Sequence, residues 1–118
     1  DVCSSDLNMT MNDLVAEANA GDPGCRRVVS DAAVRIGQVA AGLCIAVDPE
    51  IVVLGGKLAM TGGVFLEPFG ESLQRLLFPS ALTPIQVVPA AYPETCAALG
   101  AALMAIEHVE STRISQAA

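Results

Sequence analysis

The stretch DPEIVVLGGKLAMTGG (Asp48–Gly63) holds the residues of this chain best suited to chemistry. A β-branched run, Ile51–Leu54, ends in the pair Gly55-Gly56, with Lys57 next. Glycine lets a backbone approach a ligand with no Cβ between them. In open α/β sheets, ligands lie beyond the carboxyl ends of the strands. Gly55 and Gly56 are therefore the candidate binding residues, although a plain turn would need the same two glycines. Lys57 invites a phosphate-loop reading, and that reading fails. The motif requires a Gly five residues before its Gly-Lys and a Ser or Thr after it; here those positions hold Ile51 and Leu58.

The remaining candidates are better explained without chemistry. His108, the one histidine, sits near a helix end beside Glu107 and Glu110 and reads as a solvated surface residue. Asp22 and Asp48 read as a helix cap and a helix stop. Tyr92 and Glu94 follow a second strand and could face a cleft, but a loop explains them equally simply. No nucleophile–base pair can be assembled, so a catalytic centre would have to lie in other sequence. Cys3, Cys25, Cys44 and Cys96 contain no C-x₂-C pair and suit no zinc site. They read as small thiols in a reducing compartment, which points to the cytoplasm.

The elements that must position these residues follow from caps and periodicity. Thr10 precedes Asp13 by a capping-box spacing and predicts a short helix to about Asn19. Asp22-Pro23 predicts a second start, with Asp as N-cap and Pro at the first helical position. From there Val28, Ala32, Ile36, Ala40, Leu43 and Val47 recur at helical spacing, and Val29, Ala33 and Cys44 widen the stripe. Gly37 and Gly42 inside this long helix suggest that another backbone crosses close by. Pro49 stops the helix. Ile51–Leu54 shows no alternation, the pattern of a strand buried on both faces of a parallel sheet. Gly62-Gly63 leads to a helix with Phe69, Leu73, Leu76 and Leu77 on one face, with Pro68 expected in its first turn. Pro79 and Pro84 flank a loop, and IQVV (Ile85–Val88) predicts the second strand of a right-handed βαβ unit. Pro93-Glu94 starts a last, largely apolar helix to about His108, and residues 110–118 read as an exposed, loose tail.

Composition limits the functions open to this chain. Its 118 residues are 53% hydrophobic, and the mean hydropathy is +0.53. The apolar runs fall short of the roughly 18 uninterrupted residues of a membrane span, because Asp31 and Arg35 interrupt the longest one. The excess is better explained as core surface that other sequence covers. The polypeptide expressed alone is expected to aggregate or to form a molten species. With a net charge of −7 and only one adjacent basic pair, Arg26-Arg27, the segment is poorly suited to nucleic acid. DVCSSDL (residues 1–7) resembles the translated end of a common sequencing adapter and is expected to be non-native.

Four segments in order, AGDPGCRRVVSDAAVRIG, DPEIVVLGGKL, LEPFGESL and ALGAALMAI, resemble the C-terminal part of the ROK family. That family comprises bacterial sugar kinases and sugar-responsive transcriptional repressors. The resemblance runs from Met11 to Val109, and the domain is set at residues 8–109, followed by the tail. It implies an α/β, actin-like (ribonuclease-H-like) ATPase fold, of which this chain would form the end of the second lobe. It also implies that Gly55 and Gly56 lie against the nucleotide in kinase members and that Gly100 is a packing position. The family's catalytic aspartate, sugar-binding residues and cysteine-rich zinc motif would belong to earlier sequence. AAYPETCAALG departs from the family pattern, with Tyr92-Pro93 where a Leu-Gly pair is usual.

The expected function is part of a sugar-responsive regulator, with DNA bound only through an N-terminal domain outside this chain. The alternative is an ATP-dependent hexose kinase using ATP and Mg, whose catalytic residues this chain lacks; a regulator would need neither. The expected partners are a sugar or sugar phosphate through the other lobe and a second copy of the full-length protein, with no membrane.

Overall fold

Thr10 opens the first helix through the reciprocal bonds its spacing predicts. The Asp13 N–H donates to Thr10 Oγ1 at 3.3 Å, and the Thr10 N–H donates to Asp13 Oδ2 at 2.8 Å. The computed structural model describes residues 8–77 and 84–117. Asp1–Leu7 and most of the loop flanked by Pro79 and Pro84 lie outside them. Helix α1 (Met11–Ala20) ends at Gly21, whose φ of 101° only glycine adopts freely. Asp22 then caps α2 (Pro23–Val47), its carboxylate accepting from the Cys25 N–H at 2.7 Å. Asp48, in the left-handed region, closes α2 by donating to the Cys44 carbonyl at 2.8 Å.

The buried face of α2 takes in Val29, Ala33 and Cys44, the flank of the expected stripe, and leaves out the bulky residues of its centre. Cys25, Val29, Ala33, Gly37, Ala41 and Cys44 are buried, whereas Val28, Ile36, Leu43 and Val47 are exposed. The helix is apolar on most sides, so periodicity offers two faces and packing chooses between them. The chosen face carries the small residues Ala33, Gly37 and Ala41, which admit a neighbouring backbone. That neighbour is α3 (Gly63–Leu76). A Cβ at Gly37 would lie 2.7 Å from the Phe69 carbonyl oxygen, so the expected close crossing occurs there. Gly42 has nothing comparable within 4 Å. The Ser72 hydroxyl reinforces the contact by donating to the Val34 carbonyl at 2.9 Å.

The core lies between α2 and α3, where Val29, Phe69 and Leu73 are the largest fully buried side chains. Phe65 and Phe69 stack with ring centroids 6.1 Å apart. Leu76, expected on the buried face, is 48% exposed. Pro68 also departs from its expected first-turn place, since it lies in the second turn of α3 and leaves the Val64 carbonyl without its helical donor.

Strands β1 (Ile51–Leu54) and β2 (Gln86–Pro89) pair in parallel, with Val52 opposite Val87 and Leu54 opposite Pro89. With α3 between them they form a β–α–β unit. Val52, Leu54 and Val87 pack on the core, while Ile51 and Val53 on the other face are exposed. Burial of both strand faces is thus not realised within the described residues. Parallel sheets are ordinarily covered on both sides, and among the described residues this one is covered on a single side. Helix α4 (Cys96–Ala117) begins after a turn at residues 93–95 and has no buried residue. It also continues through the segment expected to be loose: residues 110–117 are exposed but helical. The Thr112 hydroxyl bonds back to the His108 carbonyl at 2.9 Å there. By length and composition α2 could cross a membrane. Its buried stripe against α3, and Asp31 and Arg35 along its length, are those of a core helix.

Candidate functional site

The end of β1 is held by the turn that precedes α4. The Ala90 N–H extends the ladder to the Leu54 carbonyl at 2.8 Å, and the chain then turns at Tyr92. The Gly56 N–H donates to the Pro93 carbonyl at 2.7 Å, and the Cys96 thiol donates to the same oxygen at 3.4 Å. At Gly55 a Cβ would collide with Cys96 Sγ, while Cys96 Cβ and Ala90 Cβ stand at ordinary contact distances of 3.7 and 3.8 Å. Gly56 has a φ of 88° and open space around its Cα. The two glycines therefore differ. Both are exposed, but Gly55 has the Cys96 sulfur against one side, whereas Gly56 presents an open backbone whose N–H is already bonded. Lys57 is exposed and starts a 3₁₀ turn, Lys57–Thr61. Tyr92, Glu94 and His108 are exposed and make no ion pair among the described residues. Gly100 has nothing within 4 Å.

The 3₁₀ turn leads to a second concavity that the sequence reading did not single out. A cleft of about 620 Å³ lies between the end of α1, the first turns of α2 and the start of α3. Arg26, Arg27 and Ser30 line it from α2, and Thr61, Gly63, Val64 and Glu67 line the opposite side. Asn19 braces the two sides by donating to the Met60 carbonyl at 3.5 Å. The one available signal was Arg26-Arg27, the single adjacent basic pair in an acidic chain.

Electrostatic perturbations in the chain are structural. Hydrogen bonds from Thr10 lower the Asp13 carboxyl below its ordinary value, and bonds from the Cys25 backbone lower Asp22. Both act as caps, as expected for Asp22. Burial raises the Cys44 thiol. Among the described residues no group of three or more His, Cys, Asp and Glu could hold a metal ion.

A two-stranded parallel sheet joined through a helix, with glycines at the strand exit, places the chain among mixed α/β proteins. The family follows from comparison: the model of the ROK family matches residues 3–108, and this chain belongs to the ROK family. An actin-like ATPase fold is implied by that membership. The chain is 43% identical over 56 residues to the bifunctional enzyme NanE/NanK of Brucella melitensis biotype 1, covering 48% of this chain and 11% of the relative. The protein of the same name from Brucella suis biovar 1 matches equally, with 10% of its length covered. The match thus spans about a tenth of the length of these relatives. No solved structure matches the chain significantly.

Proposed function

We propose that this chain is the C-terminal part of the second lobe of a cytoplasmic, sugar-responsive ROK transcriptional regulator. In this reading DNA is bound by a domain in earlier sequence and the sugar by the cleft between lobes. The observation that carries it is the closed end of β1. The Gly56 N–H is engaged by Pro93, and Cys96 fills the space beside Gly55. A nucleotide phosphate would want those backbone donors free. ATP and Mg²⁺ therefore fit poorly at this strand end. GDPGCRRVVSDAAVRIG and LLFPSALTPIQVVPAA resemble the regulator branch in the same direction. The exposed strand face and the uncovered α4 support a chain whose remaining sheet lies in preceding sequence.

The second reading is an ATP-dependent sugar kinase, with Gly55 and Gly56 against the nucleotide. It is favoured by the relatives, both of which are named as enzymes. Two assays on the full-length protein separate the readings. A regulator shifts its own promoter DNA in a gel, releases it on addition of a sugar, and turns over no ATP. ATP-dependent phosphorylation of a hexose, with no DNA shift, would overturn the regulator assignment in favour of the kinase.

A further inference from the structure

We draw no further inference here: the strongest candidate, the exposed apolar outer face of α2 formed by Val28, Ile36, Val39, Leu43 and Val47, carries none because nothing in the structure shows what covers it.

Discussion

The carbonyl oxygen of Phe69 occupies the space that a side chain at Gly37 would need, 2.7 Å from the Cβ position. Helices α2 and α3 therefore meet backbone to backbone, and the two largest buried side chains of α3, Phe69 and Leu73, pack around that crossing. Gly37→Ala forces the helices apart at an overpacking cost of about 1–3 kcal/mol. The gain in helix propensity of about 1 kcal/mol offsets part of it. Gly42→Ala, on the same helix with open space, keeps the propensity gain and stabilises. Urea denaturation of the two variants is expected to move the midpoints in opposite directions. Equal shifts would place the crossing elsewhere.

Ser72 lies beside the same crossing, its Cβ 3.1 Å from the Gly37 Cβ position. Its hydroxyl bond to the Val34 carbonyl joins the helices across a buried contact. Ser72→Ala removes one such bond and is expected to cost about 1 kcal/mol by denaturation. Ser72→Val adds a branched side chain against the α2 backbone and is expected to cost more than Ser72→Ala.

At the other end of the unit, Gly55 and Cys96 exclude each other's bulk. Gly55→Ala forces the Cys96 sulfur out of its place, whereas Gly55→Ala/Cys96→Ala removes the opposing sulfur. The expected result is non-additivity: the double variant is more stable than Gly55→Ala alone, as a double-mutant cycle measures. Gly56→Ala differs, because its environment is open and its cost is the backbone itself, φ 88° with ψ 174°, a region essentially reserved for glycine, about 1–3 kcal/mol. That cost is not rescued by Cys96→Ala.

What the sequence made legible is what neighbouring residues decide. Thr10 with Asp13, and Asp22 with Pro23, carry their caps within three residues, and both helix starts lie where expected. Ile51–Leu54 is bounded by Pro49 and Gly55 and is found as read. Gly37 announced a crossing because glycine in a helix needs a reason. The face of α2 was legible only in part: Val29, Ala33 and Cys44 belong to the expected stripe, but bulky Ile36 and small Ala33 are both apolar and only α3 decides between them. Pro68 was assigned to a first turn because the start of α3 depends on Gly62, whose conformation has no sequence signature. The contacts of Cys96 with the end of β1, and the meeting of Arg26 and Arg27 with Gly63 and Val64, join residues far apart in the chain. Caps and periods carry no information about them.

The thiols differ in a way that labelling reads directly. Thiolate is the reactive species, and desolvation holds the Cys44 thiol above its ordinary pKa, with the side chain buried against the core. Cys96 is only half-buried at the strand exit. Under native conditions at pH 8, iodoacetamide is expected to modify Cys96 well before Cys44, as peptide mass spectrometry resolves. Comparable rates would mean that α2 opens on the labelling timescale.

The two capping carboxylates give the N-terminal helices an acid-sensitive component of stability. In the folded chain Asp13 is held low by its bonds with Thr10, and Asp22 by the Cys25 backbone. A carboxyl whose folded pKa is depressed binds protons more weakly than the unfolded chain does. Its contribution is complete above the unfolded value, about 3.9, and is lost as the pH falls through the lower folded value. Thermal melts followed by helix ellipticity are therefore expected to shift down as the pH is lowered from 5 into that range. Asp22→Asn keeps a capping oxygen but removes the titration, so it should flatten the Asp22 part of the profile while preserving α2 at neutral pH. Asp22→Ala removes both, and is expected to lower the melt at every pH. A variant profile that parallels the wild type through the acid range would show that the caps do not set this dependence.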